Sequence, residues 1–361
     1  MDIRSETKEH LEARLKALGQ PAYRALQVLE WLYRHRVTSW SAMTNLPLAL
    51  RSELEKVYDF HPLELARRLG AEDSTQKFLW KLKDGSFIES VLIPANPALY
   101  GETSDRHTLC VSTQVGCAYG CRFCASGLEG WKRNLLPEEI VDQVLAVERL
   151  CQATVEAGET RVVSNLVIMG MGEPLANYDN LLSALRILNA PWGGGIGARK
   201  ITVSTSGLAP QIRRLADEPE QFRLAISLHG ATDAVRDRIM PVNRKFPLAA
   251  LIAAGEYYQA RKNKMITLEY ILIAGVNDDL SQVKPLADVA KRLNAKINLI
   301  PYNPVEGLPW HRPSEPAQEA FLAALEQAGA ATTLRREKGL AIDAACGQLR
   351  LRTERELTKP A

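Results

Sequence analysis

The sequence predicts an α/β chain: a partial (βα)6, TIM-like barrel preceded by a small helical N-terminal unit and a β-hairpin. Three observations predict it. From His107 onward, short apolar or β-rich runs alternate with amphipathic helical runs, the pattern of βα units around a buried parallel sheet. Ahead of them, apolar residues recur at helical spacing over residues 1–60. Between the two, residues 77–83 and 86–93 are β-rich and flank Asp84-Gly85, the dipeptide of a tight hairpin turn.

The elements follow in order. Leu11, Leu15 and Leu18 repeat at i, i+4, i+7, and Gly19 stops the first helix. A second helix, 22–36, places Tyr23, Leu26, Leu29 and Tyr33 on one face, and a third spans 48–58. The polar segment 95–106 reads as a linker. Strands are expected at 107–113, 162–169, 200–204, 223–228, 265–273 and 296–300, with helices at 137–152, 179–188, 209–216, 247–261, 281–293 and 315–328. Residues 331–336 add an edge strand. The expected organisation is an accessory unit over 1–60, hairpin and linker over 61–106, the barrel over 107–346 and a tail over 347–361. In such barrels function sits at the C-terminal strand ends.

Composition narrows the class. The 361 residues are 46% hydrophobic and 24% charged, with a net charge of +3, ordinary for a globular protein. No apolar run approaches the ~20 residues a membrane helix needs. The N-terminal MDIRSETKEH has no apolar core, so no secretory signal is expected and the cytoplasm is the expected compartment. Six cysteines in a cytoplasmic chain point to metal binding or catalysis rather than disulfide staples. Basic residues gather at Arg34-His35-Arg36, Arg67-Arg68 and Lys132-Arg133, and toward the tail at Arg335, Arg336, Lys338, Arg350, Arg352 and Arg355. Such clusters can contact phosphates, although each alone is an ordinary solvated face.

The strand ends carry the chemistry. After the first strand, Cys117, Cys121 and Cys124 form a CxxxCxxC loop. Iron–sulfur cubanes usually take four thiolates, so a set of three leaves one iron open, as in a catalytic rather than a structural metal site. A zinc site would want a second Cys/His pair nearby, which the sequence lacks. After the second strand comes Met169-Gly170-Met171-Gly172-Glu173-Pro174, and after the third Val203-Ser204-Thr205-Ser206-Gly207. The fourth ends in Ser227-Leu228-His229, and the sixth in Ile300-Pro301-Tyr302-Asn303-Pro304. Any one of these would ordinarily be turn chemistry; their recurrence at successive strand ends argues for a ligand site. Cys110 lies on the first strand, Cys346 stands in Ala345-Cys346-Gly347-Gln348-Leu349, and Cys151 reads as a buried small hydrophobe.

The cluster loop resembles that of the radical S-adenosylmethionine (SAM) enzymes. Together with MGMGEP, VSTSG, SLH, NLIPYNP and IDAACGQL, it is similar to the RlmN/Cfr family of radical SAM RNA methyltransferases over nearly the whole chain. The resemblance implies one [4Fe-4S] cluster held by Cys117, Cys121 and Cys124, with an exchangeable SAM on the open iron and two SAM consumed per turnover. It implies SAM contacts at Gly172, Glu173, Ser204, Ser227, Leu228, His229 and Asn303, Cys346 as the S-methylated cysteine, Cys110 as its resolving partner, and Glu89 as proton acceptor. Implied partners are 23S rRNA and tRNA, bound in part by the N-terminal helices, and a flavodoxin- or ferredoxin-type reducing system; a monomer is expected. One departure concerns substrate range: SLH continues as Gly230-Ala231-Thr232, where the family usually has Ala-Pro-Asn. The loop before His107 and the Gly193-Gly194-Gly195 stretch are atypical too.

The implied target is C2 of adenine, in the peptidyl-transferase region of the rRNA and 3′ of the anticodon in tRNA. That carbon is electron-poor and has no lone pair with which to attack a methyl electrophile, whereas a thiolate does. The competing readings are methylation at C8, as in the antibiotic-resistance branch, a protein-activating radical SAM enzyme, or a non-catalytic iron–sulfur RNA-binding protein or redox sensor.

Overall fold

The first long helix opens where the Thr7 hydroxyl accepts the His10 amide, a donor the helix itself cannot satisfy. A computed structural model describes residues 1–71, 74–95, 107–151, 161–335 and 347–358. The expected linker beyond residue 95, the basic residues Arg336 and Lys338, and Cys346 lie outside these described residues. Helix α1 (Lys8–Ala17) buries Leu11 and Leu15, and α3 (Leu48–Glu55) buries Leu50 and Leu54. In α2 (Tyr23–Tyr33) the buried stripe is Ala25, Val28, Leu29, Leu32 and Tyr33. It follows the i, i+3, i+4, i+7, i+8 rule but leaves the expected face members Tyr23 and Leu26 exposed.

Next come β1 (Glu64–Leu69), β2 (Gln76–Lys81) and β3 (Phe87–Pro94), paired antiparallel, then β4 (His107–Cys110), antiparallel to β3. A small separate hairpin follows, β5 (Gln114–Gly116) with β6 (Trp131–Asn134). The barrel continues through α4 (Pro137–Cys151), β7 (Asn165–Ile168), α5 (Tyr178–Asn189), β8 (Ile201–Thr205), α6 (Ala209–Asp217) and β9 (Arg223–Ser227). After these come α7 (Asp233–Ile239), α8 (Leu248–Lys262), β10 (Ile266–Leu272), α9 (Val283–Arg292) and β11 (Ala295–Pro301). The last described elements are α10 (Glu315–Gln327), β12 (Thr332–Leu334) and α11 (Gln348–Thr358).

One ten-stranded sheet runs β1-β2-β3-β4-β7-β8-β9-β10-β11-β12. From β4 onward every pairing is parallel, so β4, β7, β8, β9, β10 and β11 are the six barrel strands and β12 is the added edge. The β2–β3 hairpin is therefore not a free-standing insert; it extends the barrel sheet and brings Glu89 beside β4. Leu166, Ile168, Ile201, Val203, Leu224, Ile226, Leu268 and Leu299 are buried, as continuous apolar parallel strands require.

Buried charges tie the helical unit to the barrel. Arg4, 2% exposed, pairs with Asp2 at 2.6 Å and with Asp142 of α4 at 2.5 Å. The other Asp142 oxygen accepts the Leu63 amide at 2.7 Å. Arg36 pairs with Glu148 of α4 at 3.1 Å, and Glu148 also accepts the Val162 and Val163 amides. Burial alone would raise the Asp2 carboxyl; the Arg4 contacts outweigh it and hold it below its ordinary value.

Candidate cluster and cofactor site

The cluster loop leaves the barrel where β4 gives way to the β5–β6 hairpin. Gly116, at φ +78°, could not carry a Cβ, which would lie 2.0 Å from the Gly130 carbonyl oxygen. The Cys117 amide donates to that same carbonyl at 3.1 Å, and the Cys124 amide to the Cys121 carbonyl at 3.1 Å. The loop is pinned from outside by the Arg122 amide, which donates to Ile239 O at 2.9 Å, and by Trp310 Nε1, which donates to Arg122 O at 3.0 Å.

Three thiols feel one another in this loop. Burial pushes Cys117 up to about 12, with the fields of Cys124 and Glu173 adding and the Tyr119 and Gly120 amides at its sulfur opposing. Burial likewise raises Cys121, reinforced by Cys124 and Cys117. Among the described residues no three His, Cys, Asp or Glu side chains could hold one metal ion. A cubane asks for wider spacing, because each thiolate takes a different iron. The donor set and the amides aimed at Cys117 fit such a cluster.

The other strand ends converge beside it. Gly172 sits at φ +101°, and a Cβ there would lie 2.6 Å from the Gln114 side chain, so only glycine lets this loop close on the cluster hairpin. Buried Glu173 receives the Ser206 amide at 2.7 Å and the Leu175 amide at 3.1 Å. Burial raises its carboxyl despite these donors. Ser204 and Ser227, 3.2 Å apart, both donate to Glu269 Oε2, at 2.8 and 3.1 Å. Leu228 is buried, and its amide and that of His229 donate to Glu269 O.

His229, at φ +53°, accepts the Ile271 amide on Nδ1 at 3.0 Å and meets the Phe123 ring edge-on at 5.0 Å. Burial, aided by Arg236, pulls it down to about 3, so it is a neutral imidazole whose Nε2 carries the proton. Half-buried Asn303 follows Tyr302 in the turn after β11.

Two site residues escape the sequence reading. Glu269 interrupts the apolar run of β10, and an acid in a buried parallel strand was its visible signal. Arg236 lies on the unforeseen α7, fully buried, donating to Ser206 O at 2.9 Å, to Leu228 O and to Asn243 Oδ1. It clamps the ends of β8 and β9 together. Burial lowers its guanidinium to about 10, against the field of Cys121.

The comparisons with known proteins agree. Residues 111–283 match the radical SAM superfamily model, and residues 1–59 match the N-terminal domain of ribosomal RNA large subunit methyltransferases. A probable dual-specificity RNA methyltransferase RlmN 3 of Opitutus terrae is 55% identical over 98% of this chain and 95% of its own. Its counterpart in Akkermansia muciniphila is 53% identical over 98% and 96%. The chain belongs to the RlmN family of radical SAM RNA methyltransferases. A radical SAM methyltransferase structure from Sphaerobacter thermophilus superposes with a TM-score of 0.88 at 43% identity, covering 96% of this chain and 98% of that one. Membership in the family implies a [4Fe-4S] cluster and SAM. Among the described residues no helix is long and apolar enough to cross a membrane.

The last part of the site is built around Glu89, 2% exposed on β3. Its Oε2 accepts the Gly347 amide at 2.9 Å, its Oε1 the Arg350 amide at 2.7 Å, and Lys77 Nζ lies 3.4 Å from Oε2. Gly347 is the residue bonded to Cys346. At φ +86° its missing Cβ would lie 2.8 Å from Ser126 N and Oγ, two residues past Cys124. Cys110 pairs with Val91 across β3–β4, and Val91 is two residues from Glu89, so Cys110 and Glu89 share one face of the sheet.

Proposed function

We propose that this enzyme methylates C2 of adenosine in the peptidyl-transferase region of 23S rRNA and 3′ of the anticodon in tRNA, with Cys346 as methyl carrier. The observation that carries the reading is the seat of Gly347, wedged between the Glu89 carboxylate and the backbone that follows Cys124. It supports the reading because the residue after Cys346 lies between Glu89 and the backbone just past Cys124, and Glu89 shares a sheet face with Cys110.

Cys117, Cys121 and Cys124 would hold the cluster. Glu173, Ser204, Ser227, His229 and Asn303, with Gly172 and Leu228 giving backbone approach, would hold SAM, and Glu269 would order the two serine hydroxyls. When bound, the cluster and SAM supply a methyl group to a thiolate and a hydrogen-abstracting carbon radical. Cys346 receives the methyl by displacement, and the activated carbon on its sulfur bonds to C2 of the adenine. Glu89 takes the C2 proton as the adduct gives up its odd electron, which the bound cluster would accept in its oxidised state. The Cys110 thiolate then attacks the Cys346 sulfur, and the carbon that leaves it takes up a proton to become the methyl group, which frees the methylated base and leaves a Cys110–Cys346 disulfide that an external flavodoxin- or ferredoxin-type system or thiol reduces.

The target base must be unstacked to reach the site. Residues 1–60 and the exposed basic residues Arg34, Lys132, Arg352 and Arg355 form the proposed RNA surface, with affinity that falls steeply as salt rises, whereas Arg36 and Arg350 of the expected clusters are buried in ion pairs. Nuclease digestion of treated rRNA and tRNA, with mass spectrometry against 2-methyl- and 8-methyladenosine standards, tests the reading. 2-Methyladenosine in both supports it, 8-methyladenosine replaces it with the C8 reaction, and product in one RNA alone removes the other substrate.

A further inference from the structure

Both oxygens of the Glu89 carboxylate are engaged at the start of α11: Gly347 N on Oε2 at 2.9 Å and Arg350 N on Oε1 at 2.7 Å. These amides belong to the first turn of the helix that follows Cys346, where backbone donors have no partner of their own. The carboxylate is supplied by a strand some 258 residues earlier in the chain, so this is a tertiary tie and not a local cap. Fully buried Lys77, which pairs across β2–β3 with Val91, two residues from Glu89, places an ammonium 3.4 Å from Oε2. The Arg350 guanidinium turns away from Glu89, to Glu129 at 3.1 Å and Glu354 at 2.6 Å.

We propose that Glu89, besides accepting the proton, is a positioning residue that seats the first turn of α11, the chain directly after Cys346, and that Lys77 is a positioning residue that holds the Glu89 carboxylate in place for it. This rests on the reading above. A carboxylate accepts on both oxygens, as Glu89 does here, whereas an amide of the same shape offers one oxygen and turns an N–H donor toward the second backbone N–H.

Amide-resolved hydrogen exchange on the full chain, without RNA or SAM, reads the tie directly. Glu89→Gln, the neutral isostere, is expected to speed exchange of the Gly347 or Arg350 amide about tenfold, the worth of one hydrogen bond, while amides of α8 stay at wild-type rates and report an intact fold. Lys77→Met is expected to move the same amides in the same direction, and Lys77→Arg to restore them. Wild-type exchange at both amides in Glu89→Gln overturns the anchoring role; wild-type exchange in Lys77→Met overturns the role of Lys77, and does so even if the Glu89 variant fails to fold. Because no RNA is present, these outcomes are independent of whether C2 is the methylated carbon.

Discussion

Replacing Gly347 by alanine probes the seat on which the reaction depends. At φ +86° an alanine carries a left-handed penalty of about 1–2 kcal/mol. Its Cβ would also stand 2.8 Å from Ser126 N and Oγ and 3.0 Å from Ser126 Cα, contacts against backbone that a side-chain rotation cannot relieve. Overpacking of this kind costs about 1–3 kcal/mol. The sum, about 2–5 kcal/mol, falls on the docking of α11 and not on the barrel core. The expected outcome is that the Gly347–Glu89 bond breaks and the start of α11 moves off Ser126. With each 1.4 kcal/mol worth a factor of ten, methyl transfer should fall roughly 30-fold or more. The assay is mass spectrometry of the Cys346 peptide after incubation with SAM, beside product formation and a thermal melt. Wild-type methylation of Cys346 in Gly347→Ala would refute the claim that this contact seats the carrier.

Other expectations follow from the same geometry. Glu269→Gln keeps the size but removes the charge that orders Ser204 and Ser227; SAM affinity measured by calorimetry should drop about tenfold, the worth of a charge-assisted hydrogen bond, with the fold unchanged. Arg4→Met leaves Asp2 and Asp142 buried without their cation and should cost about 3–5 kcal/mol in denaturant melts. Because Asp2 sits below its ordinary value in the folded chain, its contribution is fully present above pH ~4 and lost as pH falls through the folded value. Melts between pH 6 and pH 2 should show that loss in the wild type and less of it in Arg4→Met.

The barrel strands were legible because each is a short β-rich or apolar run set between amphipathic helical runs, and the cluster loop because its spacing is a covalent fact of the chain. Five elements were not. Strands β5 and β6, three and four residues long on either side of the cluster loop, offer no apolar run to read. Strand β1 is an exposed edge containing Arg67 and Arg68, with no alternation to read. Helix α7 has seven residues, four of them charged, and is held by Arg236 and by its Thr232 cap rather than by an apolar stripe. Helix α11 reads as a charged tail because its order comes from tertiary ties: Glu89 at its first turn, Arg67 to Glu356, Lys132 to Glu354 and Gln348 to Pro304. The site followed the same division. Motifs at strand ends announced themselves, whereas Glu269 and Lys77 act across strands, where only the register of β2, β3, β9 and β10 shows what they face, and Arg236 reaches the ends of β8 and β9 from the short helix α7. The asymmetric burial of α2 has the same origin, since its packing on α1 and of Tyr33 on Trp192 decides which apolar stripe turns inward.

The most direct test of the account is the mass of the protein–RNA species formed by Cys110→Ala under turnover conditions. With the resolving thiol gone, the account predicts a covalent adduct in which Cys346 is joined through one carbon to C2 of an adenosine, recovered on the peptide spanning 342–349. Free methylated RNA released at the wild-type rate, with no adduct on Cys346, would contradict it.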